Sequence, residues 1–336
     1  MPNPDPWPAP NRTLRIPGFT LGHGTDREGL TGVTVILCPE GATAAAEVRG
    51  SATGTRQFDS LTQLHHIATR CHGVVLSGGS GFGLAAADPV VEHLRAAGKG
   101  FDTGVGVVPL VPTATLFDLG VAAGARGPHA ELAVEALAAA AGGEVACGSV
   151  GAGTGATVGK ALGVECAMKG GFGFAATGLP SGLEVAAAVA VNAFGDVRDP
   201  RSGRILAGCR AAPDNTEFAG ADRVLVSRTP DERPVWESNT TLAVVMTNAA
   251  LSRLELRKVC EMALGGLYRT LLPALTLYDG DLVVALARGE QPAHLHQVGI
   301  LAEHLVAEAI VTAVREADGL GRLLAVRDLP RGTHKT

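Results

Sequence analysis

Apolar residues along this chain fall into two rhythms, and the alternation between them predicts its elements. Short runs rich in β-branched residues and bounded by Gly or Pro, at 33–37 (VTVIL), 73–76 (GVVL), 107–111, 145–150 and 184–192, are expected as buried strands. Ala-rich stretches at 84–97 and 131–141 predict helices. Toward the C-terminus the rhythms alternate. Strand 242–247 (LAVVMT) precedes a helix over 251–272, with Leu251, Leu254, Val259, Met262, Leu267 and Leu271 at helical spacing; strand 282–286 then precedes a helix over 294–317. Two polar stretches interrupt the pattern, a Gly-containing one at 49–56 and a Pro-rich, least regular one at 198–237. The second stops abruptly at Ser238-Asn239-Thr240-Thr241. Neither an internal repeat nor a long linker is visible, so residues 1–336 are expected to form a single domain.

Composition sharpens this picture. With 46% hydrophobic and 18% charged residues in 336, the chain is neither disordered nor a coiled coil. Its 45 glycines are about 13% of the chain, roughly twice ordinary usage, while aromatics are only 4%. They follow no triplet period, which excludes collagen and leaves tight turns and closely approaching backbones as the explanation. A net charge of -5 with scattered Lys and Arg offers no footprint for nucleic acid. Cys38, Cys71, Cys147, Cys166, Cys209 and Cys260 never form a Cys-x-x-Cys pair and have apolar neighbours, so packed reduced thiols are expected. The Pro-rich first ten residues lack an apolar signal core, and no uninterrupted apolar run approaches ~18 residues. The chain is therefore read as cytoplasmic, with no membrane partner.

The glycine clusters invite a phosphate-loop reading, because a Gly-rich turn between strand and helix makes an anion cradle. Ser77-Gly-Gly-Ser-Gly-Phe-Gly83 is one such turn, and Gly151-Ala152-Gly153-Thr154-Gly155-Ala156 fits a loose dinucleotide pattern. Gly159-Lys160 resembles the end of a Walker loop, but Thr154 stands where that loop needs Gly and Ala161 where it needs Ser or Thr. A dinucleotide site wants an acidic residue about 20 positions on, where Gly170-Gly-Phe-Gly173 occurs. Gly78-Gly79-Ser80-Gly81-Phe82 misses the last glycine of a nucleophile elbow. His294-x-His296 pairs two metal-binding side chains without a third ligand. A non-catalytic small-molecule or nucleotide-binding protein stays open as the rival from another class.

Thr240 is more specific. It stands after an irregular polar stretch and immediately before a buried strand, a position that suits a peptide bond cut to make a new N-terminus. A terminal Thr carries nucleophile and base together, since Oγ1 attacks while an α-amine of pKa about 7.7 to 8.0 takes its proton. No histidine is then needed. Asp279-Gly280-Asp281 lies on a turn before strand 282–286, where two carboxylates suit holding an ammonium and a hydroxyl. Taken alone, the tripeptide is also an ordinary turn.

Seven segments in order, VTVILCPEGA, VVLSGGSGFGLAAAD, VPLVPTATLFDLG, GAGTGATVGK, AAVAVNAFGDV, SNTTLAVVMTNA and LYDGDLVVALA, resemble one family over about residues 14–317. It is the family of N-terminal-nucleophile hydrolases that includes L-aminopeptidase/D-esterase, β-peptidyl aminopeptidases and nylon-oligomer (6-aminohexanoate-oligomer) hydrolases. The resemblance implies an α/β fold, a four-layer α/β/β/α sandwich. It also implies self-cleavage between Asn239 and Thr240 into an α chain of residues 1–239 and a β chain of residues 240–336, with no cofactor or metal. A small or oligomeric amide substrate and a tetramer of αβ units are expected on the same ground. Thr240 matches the nucleophile of the nylon-oligomer branch, where the aminopeptidases have Ser. Lys160 matches the lysine ending the Gly/Ala-rich strand turn, and Asn192 the asparagine after the Val-rich strand, expected to stabilise the oxyanion. Asp279 and Asp281 match that branch's aspartates, where the aminopeptidases have Ser and Glu. Linear amides such as 6-aminohexanoate oligomers are thus expected, with short peptides, amino-acid amides, esters or β-peptides as the alternative. Phe117 departs from the pattern, which has tyrosine at this place in the substrate pocket. Either Asn192 and backbone N–H groups supply the oxyanion donors, or the activity differs.

Overall fold

The computed structural model describes residues 8–121, 127–229 and 239–330. Strands β1 (Thr20–Asp26), β2 (Thr31–Val48), β3 (Gly54–Arg56), β4 (Arg70–Ser77), β5 (Thr113–Thr115), β6 (Gly171–Gly178), β7 (Glu184–Asn192), β8 (Thr240–Ala249) and β9 (Leu282–Gln291) form one hydrogen-bonded ladder. Helices α1 (Ala87–Ala96), α2 (His129–Ala139), α3 (Arg253–Thr270) and α4 (Leu295–Glu316) cover its faces.

The 18-residue β2 belongs to two sheets at once. Its first half, Thr31 to Leu37, lies between β1 and β4, whereas Thr43 to Val48 pairs with β9. A register shift between Leu37 and Ala42 separates the halves, and Gly41 takes the left-handed φ of 77° that this bend requires. One sheet runs β1-β2-β4-β5-β3 and the other β6-β7-β8-β9-β2.

Three apolar layers fill the spaces on and between these sheets. Val33, Val35, Leu37 and Val75 pack on Val90 and Leu94 of α1 and Leu132 and Ala136 of α2. Ile36, Val74 and Leu76 meet Ala188, Val244, Met246 and Val284 between the sheets. Val189, Val245 and Val283 pack on Val259 and Leu267 of α3 and Leu305 and Ile310 of α4. Alternate residues of one strand thus serve two cores, as a pleat demands. The result is the expected four-layer α/β/β/α sandwich.

Glycine sets the spacing of the layers. A Cβ at Gly173 of β6 would lie 1.8 Å from the Ala309 carbonyl oxygen of α4, and Cβ atoms at Gly22 and Gly24 of β1 would lie 2.0 and 1.9 Å from carbonyls of α2. Helices therefore rest directly on strand backbone. The same glycines erase the apolar alternation of β6, GFGFAATG, which the sequence pattern does not reveal.

Expected strands at 33–37, 73–76, 184–192, 242–247 and 282–286 and helices at 131–141, 251–272 and 294–317 are present with small boundary shifts. Stretch 84–97 begins instead as the 3-10 turn Ser80–Ala86 before α1. Run 107–111 is corrected to Val107–Val108, paired with Phe101–Asp102; Pro109, lacking an N–H, ends it. Run 145–150 is not a strand: within it Gly148 makes an isolated antiparallel bridge to Phe172, and before it Gly143–Glu144 pairs with Thr13–Leu14. The irregular 198–237 holds Ile205–Ala207 and the helix Ala221–Ser227, with 230–237 outside the described residues.

Local signals explain both C-terminal helices. Ser252 Oγ accepts the Glu255 N–H at 3.3 Å while the Glu255 carboxylate accepts the Ser252 N–H at 2.8 Å, a capping box for α3. At α4 the His294 ring accepts the His296 N–H at 3.3 Å, so this pair caps a helix. Among the described residues no group of three or more His, Cys, Asp or Glu is placed to hold a metal ion. Helix α4 is long and apolar enough to cross a membrane, yet 72% of its apolar window is buried inside the sandwich.

Candidate active site

Thr240 opens β8 and Asn192 closes β7, and the antiparallel register sets them opposite each other. Parallel pairing of β8 with β9 begins at Leu242 and Leu282, which lays the preceding turn beside residues 239–241. Asn239 bridges Asp279 there. The Asn239 N–H donates to the Tyr278 carbonyl at 2.7 Å, the Gly280 N–H to the Asn239 carbonyl at 2.7 Å, and the Thr241 N–H to Asp281 Oδ1 at 2.6 Å. Thr240 Oγ1 donates to the carbonyl oxygen of Asn239, the residue before it. Asn239, Thr240, Asp279 and Asp281 are all buried.

Both carboxylates are held by donors. Asp279 Oδ1 accepts the Phe194 N–H at 3.0 Å, and Oδ2 accepts the Thr276 N–H at 3.0 Å and Oγ1 at 2.6 Å. Asp281 Oδ2 accepts the Leu275 N–H at 3.2 Å. Burial raises the proton affinity of both, while Lys160 offsets part of the rise at Asp279. Asp281 is pushed up to about 7 by burial and then by the neighbouring charge of Asp279.

Lys160 Nζ donates to the carbonyls of Thr157 (2.8 Å), Asn192 (3.1 Å) and Ala193 (3.2 Å) and to Asn192 Oδ1 (3.1 Å). Gly159 precedes it with φ of 75°, and a Cβ there would lie 2.0 Å from the Cys209 nitrogen, so the turn that aims Lys160 requires glycine. Asn192 Oδ1 also accepts the Thr157 N–H at 2.9 Å, and its Nδ2 donates to the Phe117 carbonyl at 2.9 Å. Donors on one side and a carbonyl on the other fix the amide orientation, leaving one Nδ2 hydrogen for another acceptor. Phe117 thus reaches the site through its backbone, with its side chain half-buried.

The fold gathers every residue expected in the site around one β-strand start. Sequence reasoning missed the groups that hold them, Thr157, Thr276 and the Gly280 N–H. It also missed a deeper layer. Lys169 is fully buried and donates to the carbonyls of Gly153 (2.7 Å), Ala156 (3.0 Å) and Gly170 (3.2 Å), and burial lowers it to about 7. Asp118, raised by burial to about 6, accepts from Thr31 Oγ1 at 2.8 Å and the Gly79 N–H at 2.7 Å. One signal was present: Lys169 is the lone charge between Glu165 and Glu184.

Neighbouring protein crowds part of each glycine cluster. A Cβ at Gly153 would lie 2.1 Å from the Phe172 nitrogen, and one at Gly78 2.0 Å from Asp118 Oδ2. Backbone thus lies against Gly153 and the Asp118 carboxylate against Gly78, while a Cβ at the exposed Gly81 would meet nothing within 4 Å.

A hydroxyl against a peptide carbonyl, two carboxylates whose proton affinity burial raises and a buried lysine amine are groups that can support acyl transfer. The pattern of peptidase family S58 matches residues 11–322. An uncharacterized aminopeptidase of Mycobacterium leprae is 37% identical over 332 residues, covering 90% of this chain and 86% of that one. A 6-aminohexanoate-oligomer endohydrolase of Paenarthrobacter ureafaciens is 28% identical over 317 residues, covering 89% and 84%. The solved L-aminopeptidase D-Ala-esterase/amidase of Ochrobactrum anthropi, described as a variant of the Ntn hydrolase fold, matches with a TM-score of 0.69 at 18% identity, over 96% of this chain and 93% of that one.

Proposed function

Because the chain belongs to peptidase family S58 and is an amide hydrolase, we propose that it cuts its own Asn239–Thr240 bond and then uses Thr240 as an N-terminal nucleophile on linear amides. Thr240 Oγ1 adds to the Asn239 carbonyl carbon, the C–N bond breaks as nitrogen gains a proton, and water hydrolyses the resulting ester. The products are an α chain ending at Asn239 and a β chain beginning at Thr240.

In turnover the free Thr240 amine takes the Oγ1 proton as oxygen attacks the substrate carbonyl. The substrate amine leaves, and water releases the acyl group. Asp279 and Asp281 hold the terminal ammonium, and Lys160 orients Asn192, whose remaining Nδ2 hydrogen serves the oxyanion. The observation that carries this reading is Thr240 Oγ1 seated on the carbonyl of the bond to be cut.

For substrate, Thr240, Asp279 and Asp281 favour 6-aminohexanoate oligomers or similar linear amides. The 37% identity to an aminopeptidase-named relative favours a second reading, short peptides or amino-acid amides. Rates on 6-aminohexanoate oligomers and on alanine p-nitroanilide, measured with wild-type and Thr240→Ala protein, separate the two. Turnover of neither, or turnover that survives Thr240→Ala, would falsify the assignment.

A further inference from the structure

We propose that the backbone N–H of Gly280 is the oxyanion donor for self-cleavage. This rests on the maturation reading above and adds to it a catalytic group that carries no side chain. When Thr240 Oγ1 bonds to the Asn239 carbon, the carbonyl electron pair moves onto the Asn239 oxygen. That oxygen already accepts the Gly280 N–H at 2.7 Å. When the C–N bond to Thr240 breaks and nitrogen takes a proton, the pair returns to re-form the carbonyl of the ester. A donor in place before charge develops needs no reorganisation, the condition under which such groups act strongly.

The N–H is fixed from both sides. The Asn239 N–H is bonded to Tyr278, and Ala52 N–H donates to the Asp279 carbonyl at 2.9 Å. The N–H groups of Arg49 and Gly50 donate to the Asp281 carbonyl at 3.0 and 2.9 Å. Turn 278–281 is therefore clamped between residues 49–52 and the bond to be cut. Glycine is required at its centre, because a Cβ at 280 would lie 2.7 Å from Thr240 Oγ1 and 2.7 Å from the Ala52 carbonyl. The missing side chain lets nucleophile and carbonyl share one space. Asn192, whose Nδ2 is bonded to Phe117, is left for the substrate oxyanion.

The test removes one hydrogen. In cell-free translation, glycolate replaces Gly280, exchanging its N–H for an ester oxygen, and sarcosine at 280 blocks the same hydrogen while keeping an amide. Wild-type chain and glycolate at the exposed Gly289 are the controls, and self-cleavage is followed by electrophoresis. Protease resistance equal to that of Thr240→Ala identifies folded precursor. Folded glycolate-280 or sarcosine-280 chain is expected to cleave about 100- to 1000-fold more slowly, the usual effect of losing one such donor, while glycolate-289 keeps the wild-type rate. Wild-type-rate cleavage of either 280 variant overturns the role of Gly280 alone. An uncut wild-type chain overturns the maturation reading and this proposal together.

Discussion

Asn192 and Thr240 face each other at the end of the β7–β8 pair, so whatever holds the asparagine also fixes the threonine. Lys160 provides that hold, 3.1 Å from Asn192 Oδ1. Removing either member frees the other, and the two act as one unit. By misplacing Thr240, Lys160→Met and Asn192→Ala are each expected to slow self-cleavage about 100-fold, and the double variant to be little slower than the worse single. A double-mutant cycle on cleavage rates checks this; simple additivity would contradict a shared role.

The residues of this site were legible in the sequence, but their meeting was not. Thr240, Asp279 and Asp281 each stand at a strand start or turn that pattern alone marks, and only the resemblance tied them to Lys160 and Asn192, which lie 80 and 48 positions before Thr240. Backbone donors such as the N–H groups of Thr157, Thr276 and Gly280 leave no residue-type signal, since every residue but proline carries one. Strand β6 was hidden for a related reason. Its glycines answer to the backbone of α4 rather than to a core, so alternation is lost where packing is tightest.

Gly173→Ala tests that explanation. The added methyl meets the Ala309 carbonyl at 1.8 Å, and α4 must move off β6. Overpacking of this kind costs about 1–3 kcal/mol, and more where backbone must shift. Denaturant unfolding of the Thr240→Ala precursor with and without Gly173→Ala should register a loss of that size. An unchanged midpoint would mean that the layers are not in contact there.

Lys169→Met should weaken the same region from within. The carbonyls of Gly153, Ala156 and Gly170 lose the Lys169 donor, although Ala156 keeps the Gly170 N–H at 2.8 Å and Gly153 the Ala156 N–H at 3.4 Å, and the loop leading to Thr157 loosens. A buried acceptor that loses its donor costs about 1–3 kcal/mol, and self-cleavage should slow as Asn192 loses its fixed partner. Unfolding midpoint and cleavage rate together check it; a stable variant with wild-type cleavage would contradict it.

The paired aspartates predict a pH dependence with a definite sign. Asp281 rises from 3.8 to about 7 on folding, and Asp279 rises too. Folded protein then binds more protons than unfolded protein between those values, so this contribution to stability is complete below about pH 4 and is lost as pH rises toward 7. In the Thr240→Ala precursor, Asp281→Asn should reduce the fall in Tm between pH 4 and pH 7.5. An equal or steeper fall in the variant would contradict the assignment. Comparing the two chains cancels Asp118 and Asp196, which titrate in the same range.

Intact mass spectrometry of freshly purified wild-type, Thr240→Ser and Thr240→Ala protein tests the central claim most directly. Wild-type and Thr240→Ser chains should each give two species, the second beginning at residue 240, while Thr240→Ala stays a single chain near 34.1 kDa. A wild-type protein that remains one 34.1 kDa chain, or a Thr240→Ala chain still cut after Asn239, would contradict it.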